Sequence, residues 1–302
     1  MDRIESKGQY LEPSVHGAES GLSMAEELME KASDLRTRGS PEEAAKLYLH
    51  AAIEFEKSGK VADAAQAYNA AGLLLSEAGK SEEGYNQYVK AIEGFSRLND
   101  EEGKADSSYN ACVALNDMGS YEEAVKHCSI ALQLYESLKS EERMADALYG
   151  MGLAYLGSAK LDEALGLFSR ALEICKKMNN YEGIMSISLD IGNIYKKKEE
   201  LDKALVSFKS ALEVARKLKD DASMGDALVA MGEAYELSEE YGRSADAFLS
   251  AAEKYLKAGM DDLAEEYSSR IEDLIADLTA VTAERVKKKM EEIRGRIPKK
   301  QL

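Results

Sequence analysis

The side chains that could perform chemistry are few, and they do not fall into a catalytic pattern. The three histidines, His16, His50 and His127, are scattered along the chain, so we interpret them as surface or packing residues rather than as catalysts or metal ligands. Pairs of carboxylates such as Glu42-Glu43 could form an acid–base pair, but they open predicted helices, where negative charge favours the helix dipole. The sequence has no phosphate-binding loop, no HExxH zinc motif and no GxSxG nucleophile motif. We therefore predict that the protein is not an enzyme and uses no cofactor or metal.

The elements that carry these side chains repeat every forty residues. A small residue recurs at one position of the repeat, namely at Ala32, Gly72, Cys112, Gly152, Gly192 and Gly232. An alanine recurs at a second position, at Ala51, Ala91, Ala131, Ala171, Ala211 and Ala251. Three residues before each of these alanines stands a side chain that is large in five of the six units: Tyr48, Tyr88, Cys128, Phe168, Phe208 and Phe248. Small residues facing bulky ones at helical spacing are typical of closely packed helical hairpins.

This order of small, aromatic and alanine positions resembles the tetratricopeptide repeat, over residues 23–258. The resemblance implies an all-α, right-handed α-solenoid of six helical hairpins, closed by a C-terminal capping helix. The repeat departs from the usual family pattern, because its period is forty residues and it has neither the tryptophan of the first helix nor the closing proline. Residues 190–220 are similar to the long repeats of Leu-Gly-Asn polarity adaptors and kinesin light chains. Residues 42–72 also resemble the soluble NSF attachment proteins.

The predicted boundaries follow from composition and helix signals. We expect a flexible arm at residues 1–22, the six repeats at 23–258, a capping helix at 259–282 and a basic helix or tail at 283–302, either joined to the cap or hinged near Thr279. Capping boxes are predicted at Ser23, Ser40 and Ser120, each three residues before a glutamate.

Glycines predict left-handed helix ends in the first half of the chain, for instance at Gly39, Gly79 and Gly119. The corresponding sites in the second half are Ala159, Glu199 and Glu239. We expect the turns at those three sites to close differently or to extend the helices.

Net charge limits which classes of partner the protein can bind, and cysteine content indicates its cellular compartment. The net charge of −17 opposes binding of nucleic acid or an anionic membrane by the whole surface. The basic C-terminal segment could instead contact an acidic partner, a lipid surface or the acidic body of the protein itself.

No stretch is long and apolar enough for a signal peptide or a membrane span. The three cysteines lie at small or buried positions without CxxC spacing, which predicts a cytoplasmic protein with reduced thiols.

The resemblance also implies a partner-binding groove, because first helices line the concave side in that family. When the family's groove positions are carried over to this sequence one by one, the groove has an apolar floor with polar residues at its edges. Its residues are Tyr109, Val113, Asn116, Tyr149, Leu153, Leu156, Leu189, Asp190, Asn193, Lys196 and Lys197. Such a floor suits a peptide or helix of a partner protein, with Tyr109, Tyr149 and Leu153 as the main anchors. The alternative is that these apolar residues pack against neighbouring first helices. For function, we predict a non-catalytic interaction scaffold, with an attachment-protein-like adaptor that presents a helical bundle to an ATPase as the alternative.

Overall fold

The computed structural model describes residues 15–298, with side chains from residue 23 onward, and divides the chain into two units, Met1–Ser158 and Ala159–Leu302. Unit 1 is a series of helices in which each packs against the next. These are α1 (Val15–Thr37), α2 (Pro41–Lys57), α3 (Val61–Glu77), α4 (Ser81–Leu98), α5 (Glu101–Asp117), α6 (Tyr121–Leu138) and α7 (Glu141–Gly157). The first three predicted hairpins are α1–α2, α3–α4 and α5–α6. No β-strand occurs between residues 15 and 298, which confirms the all-α class.

Unit 2 continues the same pattern and ends in two additional helices. Its elements are α8 (Leu161–Met178), α9 (Tyr181–Lys197), α10 (Leu201–Leu218), α11 (Asp221–Leu237), α12 (Tyr241–Ala258), α13 (Asp261–Leu274), a 3-10 turn (Ile275–Asp277) and α14 (Ala280–Arg294). The pairs α9–α10 and α11–α12 are the fifth and sixth predicted hairpins, and α13 packs on α12 as a cap. Each unit is therefore a short α-solenoid. No helix in residues 15–298 combines the length and apolarity that a bilayer crossing requires.

The hairpins are held by the small and aromatic positions that the sequence pattern indicates. A methyl group placed on Gly72 would lie 2.7 Å from a ring carbon of Tyr88, and one on Gly232 would lie 2.7 Å from a ring carbon of Phe248. Tyr88 and Phe248 are 1% and 0% exposed. The aromatic ring of the second helix thus occupies the space that a side chain on the first helix would need, and the two helix backbones approach closely.

The turns of the second half close in the same way as the glycine turns of the first half, contrary to expectation. Gly39, Gly79 and Gly119 have φ of 78°, 76° and 72°, and Ala159, Glu199 and Glu239 have φ of 59°, 61° and 59°. The flanking helices fix the path of the chain at these sites. Packing of the hairpin therefore imposes the left-handed conformation even where the residue has a Cβ.

This strain predicts that Glu239→Gly stabilises unit 2, by about 1 kcal/mol, because glycine adopts a positive φ without steric cost. Urea unfolding followed by circular dichroism measures the change, and Glu253→Gly in the middle of α12 is the matched control. Glu253 is exposed in a helix interior, so glycine there should destabilise the helix by about 0.5–1 kcal/mol. Equal effects of the two substitutions would contradict the assignment of strain to the turn.

The helix starts correct two further expectations. Order does not begin at Ser23, because α1 already begins at Val15 and Ser23 lies inside that helix; the remainder of the predicted arm, residues 1–14, lies outside the described residues. In the described structure neither Ser40 nor Ser120 makes a side-chain capping hydrogen bond.

Three starts of first helices are capped instead, at Asp100, Asn180 and Asp220. The side chains of Asp100 and Asn180 each accept a hydrogen bond from a glycine N–H three residues later, both at 2.9 Å, and Asp220 accepts from the Ser223 N–H at 3.1 Å. The side-chain hydrogen bond from Ser223 is the largest cause of the lowered pKa of Asp220. Asparagine and aspartate at these positions satisfy backbone donors that the helix leaves free.

The basic C-terminal helix is a separate element that packs on the protein itself. The helical backbone is interrupted at Leu278 and Thr279, which are both extended. The Thr279 hydroxyl accepts a hydrogen bond from the Thr282 N–H and so caps α14. The capping helix and the basic helix are therefore hinged rather than continuous. Val286, Met290 and Ile293 of α14 are buried in the core cluster of α12 and α13. Arg285 donates two hydrogen bonds to Asp246, at 2.6 and 2.9 Å, and Arg294 donates one to Glu272 at 2.5 Å. The sequence left open whether this helix contacts an acidic partner, a lipid surface or the acidic body of the protein. In the structure, α14 contacts the body of the protein.

Candidate functional site

Six of the predicted groove residues lie together in unit 1. Tyr109, Val113 and Asn116 are on α5, and Tyr149, Leu153 and Leu156 are on α7, which contacts α5. Val113 is 39% exposed and the other five are half-buried. Leu73, at the same repeat position on α3, is 38% exposed. We call Leu73, Val113 and Leu153 the apolar column, because they stand at forty-residue steps on the three successive first helices α3, α5 and α7.

The amide groups beside this column already make hydrogen bonds within the protein. Asn69 accepts hydrogen bonds from Ser107 and Asn110, at 3.1 and 3.2 Å, which links α3 to α5. The amide nitrogen of Asn116 donates to the Gly150 carbonyl at 2.9 Å, which links α5 to α7. The carbonyl oxygen of Asn116 is buried and finds no hydrogen-bond partner among the described residues. The expected amide edge therefore connects neighbouring first helices.

Tyr109 serves the packing of unit 1 more than its surface. Its ring packs against the core cluster that contains Leu115 and Ala154, and burial raises the pKa of its hydroxyl to about 12. Burial also raises the pKa of Asp146 on α7, the next first helix. Asp106 accepts a hydrogen bond from Tyr135 at 2.7 Å and lies 3.5 Å from Arg143. One edge of the apolar column is thus carboxylate-rich, with Arg143 as a nearby cation.

The other five predicted groove residues are all on α9, in unit 2, where the surface has a different chemistry. Lys196 forms an ion pair with Glu233 of α11 at 2.7 Å. Arg270 of α13 pairs with Glu233 at 3.3 Å and with Glu236 at 3.1 Å. These four charges, with Leu237 and Tyr241, line a cavity of about 450 Å³. Leu189, Asp190 and Asn193 are half-buried and Lys197 is exposed. The eleven predicted residues thus fall into an apolar set in unit 1 and a charged set in unit 2.

The cysteines differ from the sequence prediction. Cys112 of α5 and Cys128 of α6 form a disulfide, with their Cα atoms 5.3 Å apart, and Cys175 takes no part in a disulfide. The expectation that all three are reduced was wrong. A signal was available in the sequence, because positions 112 and 128 are the small and aromatic positions of one repeat, and those two positions face each other in the second, fifth and sixth hairpins. The ion pairs of Arg270 had no such signal, since the capping helix lies outside the repeat.

Comparisons with known proteins agree with this architecture. A family model described as the tetratricopeptide repeat matches residues 104–177, and no curated protein sequence matches the chain. Among solved structures, the apo form of RapI is 15% identical with a TM-score of 0.65, covering 90% of this chain and 98% of that one. A Rap protein complexed with competence and sporulation factor is 18% identical with a TM-score of 0.56, covering 91% and 78%. Putative kinesin light chain repeats from Podosopora anserina are 13% identical with a TM-score of 0.56, covering 64% and 95%.

The hairpins, the repeat register and these likenesses together define an all-α repeat protein. Residues 104–177 match the tetratricopeptide repeat model, and the identities to solved structures, all of 18% or less among the three above, establish a fold of the tetratricopeptide type for the chain and no more. Proteins with this fold perform many unrelated tasks, so the function has to be argued from the surface itself.

Proposed function

We propose that the chain is a non-catalytic interaction scaffold that binds an apolar segment of a partner protein on the apolar column of unit 1. The observation that carries this proposal is the exposure of Leu73 and Val113, 38% and 39%, at equivalent positions of two adjacent first helices. Side chains at this repeat position are not needed to hold the hairpins together, because the small and aromatic positions do that. Apolar groups kept in register on neighbouring helices can receive apolar side chains of an extended or helical partner segment.

The charge of unit 1 supports a partner segment with lysine or arginine beside its apolar residues. Residues 1–158 contain 28 Asp or Glu against 15 Lys or Arg, so this half carries most of the net charge of −17. Asp106 and Asp146 line one edge of the surface, and the charged form of Asp146 is disfavoured by burial. A cation from the partner would offset that cost and would also raise the association rate.

The similar structures support an interaction role without identifying the partner. One of them is a Rap protein in complex with competence and sporulation factor, and another is named aspartyl phosphate phosphatase F from Bacillus subtilis. At this level of identity neither the binding nor the phosphatase activity transfers to this chain. We retain the adaptor of the attachment-protein type and a cytoplasmic location as predictions. Because cytosolic disulfides are usually transient, catalytic or redox-sensing, a cytoplasmic location requires the bond between Cys112 and Cys128 to be of that kind.

The test compares two double variants that remove exposed apolar side chains from different faces. Leu73→Gln/Val113→Gln changes the apolar column, and Ile53→Gln/Ile130→Gln changes residues of α2 and α6 that are 44% and 39% exposed. Partners are captured from lysate of the source cells with each variant, and the affinity of the strongest partner is then measured by calorimetry. We expect the column variant to bind at least tenfold more weakly, because each central contact contributes more than about 1 kcal/mol. The control variant should bind like the wild type.

Equal affinity of the column variant and the wild type, with unchanged circular dichroism, would refute the proposal. If only the control variant binds the partner more weakly, the binding surface lies on the second helices instead.

A further inference from the structure

The cysteine pair stands at a contact that three other hairpins make without a covalent bond. In the second, fifth and sixth repeats the same two positions hold Gly72 with Tyr88, Gly192 with Phe208 and Gly232 with Phe248. In each of these repeats a methyl group on the glycine would fall within 2.7 Å of the ring. In the third repeat, Cys112 and Cys128 replace both partners and are bonded to each other. The disulfide therefore takes the structural place of a small residue against an aromatic ring.

The disulfide also lies directly beneath the surface to which we assign partner binding. Cys112 and Cys128 are both 0% exposed. A methyl group on Gly150 would lie 2.8 Å from the Cys128 sulfur and 3.6 Å from the Cys112 sulfur, so the backbone of α7 covers the bond. Asn116, which is one turn after Cys112, holds that backbone through its hydrogen bond to the Gly150 carbonyl. Val113 of the apolar column is the next residue after Cys112.

We infer that Cys112 and Cys128 are a reversible redox modification site that sets the rigidity of α5 and α6. The reductant is a dithiol. One of its thiolates attacks a cysteine sulfur, the S–S bond breaks and a mixed disulfide forms; its second thiolate then releases the other cysteine. Two electrons pass from the dithiol to the protein, the two cysteine sulfurs end as thiols with one proton each, and the dithiol becomes a disulfide. Because both sulfurs are buried, attack requires α5, α6 and α7 to open locally.

Reduction removes the cross-link and leaves a contact that no other described hairpin uses. Two thiols cannot stay at bonding distance, so their sulfurs must separate against the backbone of α7 at Gly150. They also lack the aromatic ring that fills this space in the second, fifth and sixth repeats. The closed loop has a sequence separation of 16 residues, and a cross-link over such a loop shifts an opening equilibrium by about a hundredfold. The reduced third repeat should therefore open about a hundred times more often than the oxidised one.

The first measurement establishes the bond by counting thiols. The protein is purified without reductant, unfolded in the presence of N-ethylmaleimide and weighed by mass spectrometry. With three cysteines in the chain, the oxidised monomer should carry one adduct, on Cys175, and the dithiothreitol-treated monomer should carry three. Three adducts on protein that had been incubated with oxidised glutathione would overturn the inference.

The second measurement tests the effect on the helices by amide hydrogen exchange of the native protein. With dithiothreitol, amides of α5 and α6 should exchange about a hundredfold faster, and those of α10 to α12 should not change. The control is Cys112→Gly/Cys128→Phe, which restores the glycine and phenylalanine pair of the fifth and sixth repeats and should exchange equally with and without the reductant. Equal exchange of oxidised and reduced wild type in α5 and α6 would contradict the proposed role.

These two measurements need no partner, so their outcome is independent of the proposed function. Only the consequence that reduction alters partner affinity rests on that proposal, and it is read from calorimetry of the oxidised and reduced wild type with the captured partner. If the variant Leu73→Gln/Val113→Gln binds the partner like the wild type, this consequence is removed, and the inference of a redox site is unaffected.

Discussion

Gly192→Ala should lower the free energy of unfolding of unit 2 by about 1–3 kcal/mol. The added methyl carbon would lie 2.3 Å from a ring carbon of Phe208, and Phe208 is 0% exposed. Neither side can yield cheaply, because the ring is enclosed by Ala204, Ala211 and Ala234 in one core cluster. Helix α9 must therefore move away from α10, which weakens the other contacts between them. Urea unfolding followed by circular dichroism measures the loss.

Gly166→Ala is the control for this substitution. Gly166 lies on the exposed side of α8, and a methyl group there would meet no atom within 4 Å. Alanine should stabilise the helix by about 0.5–1 kcal/mol through its higher helix propensity. The two glycines thus predict effects of opposite sign. A gain in stability at both positions would contradict the close helix contact on which the repeat depends.

Val286→Asp should release α14 from unit 2. Val286 is 0% exposed within the core cluster that contains Phe248 and Ile271. An unpaired carboxylate in that position costs several kcal/mol, more than the surface ion pair of Arg285 with Asp246 contributes. The helix should therefore detach rather than keep the charge buried. We expect amides of α14 to lose their protection from hydrogen exchange while those of α9 and α10 keep theirs.

Val281→Asp tests the same change of side chain at a site without burial. Val281 belongs to the same helix and is 81% exposed, so aspartate there should leave the protection of α14 intact. If Val286→Asp also leaves α14 protected, the basic helix is held by its ion pairs and not by its apolar face. If Val281→Asp releases the helix as well, negative charge by itself causes the detachment.

The repeat register could be predicted from sequence because each hairpin depends on a local pair of side chains. The contact is visible in the sequence as a glycine followed sixteen residues later by an aromatic residue, which occurs at Gly72, Gly192 and Gly232. The turn at Glu239 could not be predicted, because its positive φ is imposed by helix packing against the preference of the residue itself. The prediction of capping boxes at Ser40 and Ser120 was wrong for a related reason. The backbone at both serines adopts the same turn as at Lys60, where no side chain caps the helix in the described structure, so the turn forms without a capping side chain.

The candidate site was predictable only in part. The apolar column follows from repeat position, since equivalent residues of successive first helices lie side by side. The hydrogen bonds of Asn116 and the ion pairs of Lys196 depend on side-chain reach between helices, which the repeat pattern does not encode. The disulfide was encoded in the facing positions of Cys112 and Cys128, but the lack of CxxC spacing favoured reduced thiols. The sequence therefore indicated where the surface lies better than which polar groups remain available on it.

Site-specific photo-crosslinking tests the central claim, that the apolar column binds the partner. Benzoylphenylalanine is placed at Val113 in one protein and at Ile130 in another, two sites that are both 39% exposed, and each protein is irradiated in the source cells. We predict a crosslinked partner from position 113 and none from position 130, with the crosslinked segment containing apolar residues flanked by lysine or arginine. Crosslinks to the same partner from position 130 but not from position 113 would contradict the claim.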